Sequence, residues 1–232
     1  LPYFKKAENH EFIENKFHGK GGPLNVTKRN YTNHLSEVFV KAGAELGYSE
    51  NLDFTGAEHE GFGLYQVTHK NGSRCSAAHA YLHPSASRSN LTIETDALVS
   101  RIKIENEQAV AVTYQSKGID KEVMVNKEIL LCAGAYNSPQ ILQVSGIGDG
   151  EDLKKAGVDI VKHLPGVGKN LQDHLVYFSM FNSSYKGTLD RAEDFPVLIK
   201  HLFNYIAYKK GPFSSNLGEA GAFVRSSKDQ PA

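Results

Sequence analysis

Tryptophan is absent from this 232-residue chain, cysteine and methionine occur twice each, and 26 basic residues cancel 26 acidic ones. Each shortage excludes something. Cys75 and Cys132 cannot build a disulfide framework, and they stand too far apart for a CxxC redox or metal site. Balanced charge without a long block of either sign offers no basic surface, so neither nucleic acid nor an anionic membrane is an expected partner. No run approaches the roughly 18 apolar residues that a membrane helix needs, so no membrane span is expected. The opening Leu1-Pro2-Tyr3-Phe4-Lys5-Lys6 shows no initiator Met, charged leader or apolar signal segment; a processed chain or a fragment would both begin this way.

What is present is ordinary globular composition, 40% hydrophobic and 22% charged, enough for one large domain or two small ones. Five sequons, at Asn25, Asn30, Asn71, Asn90 and Asn182, favour a secreted, glycosylated protein. Helical spacing runs from Tyr3 to about Phe17 and again over 32–47, where Thr32 is the expected N-cap, Gly47 the stop, and Leu35, Val38, Phe39, Ala42 and Leu46 the apolar face. A short strand is expected at Leu24-Asn25-Val26 and a short helix over 75–83, ended by Pro84.

The pattern then turns to strands. β-rich runs at Leu91–Glu94, Leu98–Glu105, Ala109–Tyr114, Glu122–Val125 and Glu128–Cys132 are separated by polar breaks such as Asn106-Glu107 and Lys117-Gly118. The last run is continuously apolar, as for a strand covered on both faces, and Cys132 reads as a buried small hydrophobe. Next comes a helix with Ser138 as N-cap and Pro139 in its first position. A small helix at Glu151–Ala156, strands at Ile160-Val161 and His174–Phe181, a helix over about 193–209 and a strand at Ala220–Arg225 complete the expectation.

Several tempting motifs fail on context. The glycines of Gly146-Ile147-Gly148-Asp149-Gly150 follow a helix, whereas the dinucleotide fingerprint follows a strand and opens a helix, so a helix-ending turn is the better reading. Gly166-Val167-Gly168-Lys169 lacks the earlier glycine and the following Ser or Thr of a triphosphate loop. Asn170, Asp173 and His174 have no second ligand cluster at metal-binding spacing, which favours a structural turn. Ser145 lacks the flanking glycine spacing of a hydrolase nucleophile elbow.

The run from Glu128 to Gly148, with Cys132-Ala133-Gly134-Ala135 and Ser138-Pro139-Gln140 at its centre, closely resembles the second signature of the glucose–methanol–choline (GMC) oxidoreductases. Leu164-Pro165-Gly166-Val167-Gly168-Lys169-Asn170-Leu171-Gln172-Asp173-His174 is similar to the family's next segment. His18–Leu24 and Gly72–Leu82 are similar to the two that precede it, in the right order. The wording of these segments, with Asn216–Val224 beyond them, looks most like the glucose dehydrogenase branch found in insects.

The resemblance implies a mixed α/β (α+β) flavoenzyme: a doubly wound α/β domain holding FAD and an antiparallel-sheet substrate domain, both incomplete here. Residues 72–174 would be the central part of the FAD domain, 1–71 a connecting or substrate-side segment, and 175–232 the start of the substrate domain. The implied activity is oxidation of an alcohol or sugar CH–OH by hydride transfer to flavin, with quinone or oxygen as electron acceptor and a histidine near the family's C-terminus as base. That histidine and the N-terminal ADP-binding turn have no match here, and the missing tryptophan fits the loss of the C-terminal block, so the chain reads as an internal fragment. A lyase of the same family and a catalytically inactive secreted binding relative are the alternatives.

Four residues carry over by resemblance. Val99, in Ala97–Ile102, matches a strand valine whose backbone meets the adenine end of FAD, or is simply a buried strand residue. Ala133 and Gly134 lie where a strand ends and suit close backbone approach to the cofactor, or tight strand–helix packing. Glu219 lies where the family places a carboxylate facing the active site, or is an ordinary solvated charge.

Overall fold

Pro2 sits at the first helical position, where its missing N–H is no loss, and opens α1 (Pro2–Ala7). The helix stops at Glu8, well short of Phe17, because β1 (Glu8–His10) leaves it to pair in parallel with β2 (Leu24–Val26). In the computed structural model, residues 1–188, 194–227 and 229–230 are described. They form two units: 1–91 together with 180–232, and 92–179.

Helix α2 (His34–Glu45) is capped by Asn33, not Thr32: the Asn33 side chain accepts the Leu35 N–H at 2.9 Å. Gly47 does end it, with φ +88. Its buried positions are Val40 and Gly43. Gly43 is where strand β3 (Gly61–Leu64) packs, since a Cβ there would stand 2.3 Å from the Phe62 ring. The hairpin β4 (His69–Lys70) and β5 (Ser73–Arg74) turns on Asn71 and Gly72, both at positive φ. A π-helical turn over Ala78–Leu82 runs into α3 (His83–Ser85), so Pro84 lies within a first turn and does not terminate the helix.

The second unit is built on a meander of β6 (Ala97–Glu105), β7 (Gln108–Ser116) and β8 (Ile119–Met124). Both connections are two-residue turns with positive φ at each position, Asn106-Glu107 and Lys117-Gly118, the geometry whose twist matches paired strands. Helix α4 (Gly134–Val144) starts four residues earlier than Ser138. Ser138 instead lies inside the helix, and its hydroxyl accepts the Ala133 N–H at 3.0 Å. Gly146, at φ +85, turns the chain out of α4 as expected. β9 (Ile147–Gly148) follows, then α5 (Gly150–Lys155), capped by Asp149 through the Glu151 and Asp152 N–H groups. β10 (Lys162–His163) returns parallel to β9. Ser145 locks this layer together: buried, it donates to Ile141 O and accepts the Ile102 N–H of β6 at 2.9 Å.

Helix α6 (Val197–Tyr208), a 3₁₀ turn at Pro212–Ser214 and β11 (Ala220–Phe223) close the chain. The expected start of α6 at 193 lies outside the described residues. β11 pairs antiparallel with β3 and so joins the two ends of the first unit.

Three expected strands do not form, and the one expected at Ile160-Val161 lies instead at Lys162–His163 as β10. Glu128–Cys132 stays unpaired, Leu130 is 77% exposed and Cys132 is exposed, not buried. A run apolar on both faces needs neighbouring strands and covering helices, and no described residue supplies them. His174–Phe181 likewise forms no strand, its apolar side chains uncovered among the described residues. Leu91–Glu94 is loop. The mixed α and β class stands.

Candidate functional site

In the second unit, α4 begins without a capping side chain. Its first residue, Gly134, has φ +87, and a Cβ there would meet nothing within 4 Å. This is an open left-handed glycine at the positive end of a helix, where donors face outward. The first turn borders a cleft of about 220 Å³ lined by Tyr136, Gln140, Gly168 and Lys169 among others. Lys169 is committed to Asp152, 2.6 Å away. The hydrogen bond and charge of each partner hold Asp152 below the usual carboxylate range and Lys169 above the usual amine. Val99 is half-buried on β6, an edge strand of the meander, beside a register shift between Val99 and Arg101.

In the first unit, Glu219 is 3% exposed, so it is not a solvated charge. One carboxylate oxygen accepts the Asn33 N–H at 2.6 Å and the Ser36 hydroxyl at 2.9 Å, and the other accepts the Ser215 hydroxyl at 2.5 Å. The carboxylate therefore sits at the start of α2, where the helix dipole favours negative charge. Burial holds the Arg29 guanidinium below its ordinary pKa, and the Glu219 charge works against that. Burial also raises the Tyr31 phenol, to which the same charge adds. The space beside Gly221 is not open for a ligand: a Cβ there would stand 1.9 Å from the Tyr65 hydroxyl.

A second buried constellation in this unit had no signature in the sequence. His10 and His18 are 0% and 3% exposed, with ring centroids 4.6 Å apart. His18 faces Glu8 through Nδ1 and Asp53 through Nε2. His18 heads the first family-like segment, yet a carboxylate 35 residues away is invisible to spacing. The same unit holds a cavity of about 1240 Å³ walled by residues 47–61 and 223–227, including Tyr48, Asp53, Glu60 and Phe223. His174, by contrast, is fully exposed beside Asp173, and the described residues bring no metal cluster to it.

A profile described as GMC oxidoreductase matches residues 1–176. Human mitochondrial choline dehydrogenase is 49% identical over 176 residues, 75% of this chain and 30% of that protein. An alcohol dehydrogenase [acceptor] of Pseudomonas putida is 42% identical over 234 residues, 98% of this chain and 42% of the relative. Among solved structures, an FAD-dependent oxidoreductase from Chaetomium thermophilum superposes with TM-score 0.81 at 27% identity, covering 92% of this chain and 40% of that one. These neighbours define the class, flavoprotein oxidoreductases with an FAD-binding domain. The chain belongs to the GMC oxidoreductase family. It spans 30% and 42% of the length of the two curated relatives.

FAD is the cofactor of this family. The residues present fit it. The uncapped start of α4 and the open, left-handed Gly134 leave backbone donors and space where a side chain would block approach.

Proposed function

We propose that the full-length protein oxidises a small alcohol at its CH–OH carbon, with residues 72–174 forming the middle of its FAD domain. Residues 1–71 and 175–232 then serve the substrate side. FAD supplies the hydride acceptor when bound. In this reading Ala133, Gly134 and the backbone of Val99 hold the cofactor. The proton acceptor is a histidine of the family's C-terminal block, outside the 232 residues. Glu219 holds the substrate-side framework in place from beneath α2, and orients that histidine if the carboxylate face meets it.

The match across residues 1–176 carries this reading. Relatives named for choline and for alcohols favour a small alcohol. The likeness of the family segments, Asn216–Val224 among them, to glucose dehydrogenases supports a sugar as the second reading. Quinone or oxygen would take the electrons onward. The five sequons support a secreted location for the whole protein.

The test is the full-length protein purified with its flavin and mixed anaerobically with choline, a series of primary alcohols, or glucose. Bleaching of the oxidised flavin band by one of these identifies the substrate class. A protein that binds flavin but is bleached by none of them loses the dehydrogenase reading in favour of the lyase or inactive relative. The 232-residue segment alone is expected to purify colourless, because it contains no glycine-rich strand–turn–helix for the pyrophosphate.

A further inference from the structure

Two buried histidines, His10 and His18, pack edge to face in the first unit, and their hydrogen bonds give them different charge states. His10 Nδ1 accepts the Ile13 N–H at 3.1 Å. Its Nε2 stands 3.1 Å from Gln66 Oε1, and the Gln66 amide nitrogen is already donating to Leu52 O at 3.0 Å. Gln66 Oε1 can only accept, so His10 carries its proton on Nε2 and is neutral.

His18 differs at both nitrogens. Nδ1 lies 3.1 Å from both Glu8 carboxylate oxygens, and Nε2 lies 3.0 and 3.1 Å from those of Asp53. A neutral imidazole has one N–H, and its other nitrogen would aim a lone pair at a carboxylate at this distance. The imidazolium satisfies both sides. Burial pushes the His18 pKa down, but the hydrogen bonds and charges of Glu8 and Asp53 outweigh it, and His18 titrates above an ordinary histidine.

The two carboxylates belong to different segments. Glu8 is in β1, and its Oε2 also accepts the Gly19 N–H at 2.8 Å. Asp53 belongs to the loop that walls the large cavity. Asn51 organises that loop by accepting the Asp53 N–H at 2.7 Å and donating to Glu58 O and Glu60 O. The groups facing His18 are thus Glu8 from β1, Asp53 from the loop, the neutral His10 ring, and Asn15, whose side chain accepts the His18 N–H.

We propose that the buried His18 imidazolium is a proton latch, joining β1 to the 51–60 loop through Glu8 and Asp53 and making the order of that cavity wall depend on pH. Below the ordinary histidine pKa of about 6.5 the latch is fully formed, and it is lost as pH rises through the higher folded-state value. A divalent metal is the rival occupant, because Glu8, His10 and His18 offer ligand atoms within 4.8 Å of one another. Against it, every ring nitrogen of both histidines already has a partner.

The test is hydrogen–deuterium exchange on the full-length protein, corrected for the intrinsic pH dependence of exchange. Protection of amides in 51–60, relative to α2, should fall about tenfold between pH 6 and pH 9, the loss of one charge-assisted hydrogen bond. His18→Gln and Asp53→Asn should give low protection that no longer changes with pH. Unchanged wild-type protection across that range, or the same pH response in His18→Gln, overturns the latch. If the variants do not fold, selective ¹⁵N-histidine NMR of the wild type decides: both His18 nitrogens protonated at pH 7 supports the latch, and a single neutral tautomer overturns it. One zinc per chain surviving dialysis, with zinc restoring protection at pH 9, also overturns it in favour of a metal site.

Discussion

The carboxylate of Glu219 accepts the backbone N–H of Asn33 at 2.6 Å, across 186 residues of sequence. Through this bond the residue that leads into β11 is fastened to the start of α2, so two segments far apart in the chain hold one another in place. The other partners of Glu219 are the Ser36 and Ser215 hydroxyls, which makes it a buried charge solvated entirely by the fold.

Replacing Glu219 by Ala strands three donors at once and should destabilise the first unit by about 2–4 kcal/mol. Glu219→Gln keeps an acceptor for Asn33 and lets Ser215 reverse its role, so a loss of about 1 kcal/mol is expected. Denaturant melts of full-length protein measure both. If the carboxylate also orients the catalytic histidine, Glu219→Gln lowers turnover roughly tenfold to a thousandfold, about 1.4–4 kcal/mol, with flavin retained. An unchanged turnover and pH profile would confine Glu219 to the fold.

Gly134 tests the cofactor assignment. Its φ of +87 costs a side-chain-bearing residue about 1–2 kcal/mol. No atom lies within 4 Å of the position a Cβ would take, so the first carbon that Gly134→Val adds meets nothing in the chain and the backbone strain is its cost there. Its flavin-to-protein absorbance ratio should therefore fall far more than its melting midpoint. Full flavin content in a soluble Gly134→Val protein would remove Gly134 from the cofactor site.

Gly221 is held small by a neighbour. Because a Cβ would overlap the Tyr65 hydroxyl, Gly221→Ala should cost about 1–3 kcal/mol. Adding Tyr65→Leu should recover part of that loss, a coupling that a double-mutant cycle reads directly. Additive effects would mean that Tyr65 does not fill the space.

The sequons separate by burial. Asn25 is 3% exposed and its amide donates to Glu11 and to His69 O, whereas Asn71 and Asn90 are exposed. In a secretory host, glycopeptide mapping of the full-length protein should find glycan at Asn71 or Asn90 and none at Asn25. Modification of Asn25 would show that β2 opens before folding is complete; a wholly unmodified protein would count against the secreted reading.

By itself the sequence determined what its own neighbours in the chain can decide. Asn106-Glu107 and Lys117-Gly118 stand as polar breaks between alternating runs, which placed the meander, and in each pair Asn106 or Gly118 is of a type that readily takes the positive φ of a tight turn. Gly47 and Gly146 fixed where α2 and α4 end for the same reason. The family was legible because its segments are contiguous, and the flavin chemistry came with it. Tertiary structure decided the rest. Ile129-Leu130-Leu131 has the composition of a central strand, but a strand exists only with a partner to pair with, and none of the described residues provides one. Asn33 takes the cap position expected of Thr32, and its own N–H is held by Glu219 from the far end of the chain. His18 was simply a histidine before a glycine. Its charge is set by Glu8 and Asp53, which come within 3.1 Å of it only because the parallel pairing of β1 with β2 and the closure of the 51–60 loop bring them there. Burial then makes the proton between them a matter of folding, a coupling that no local pattern of residues encodes.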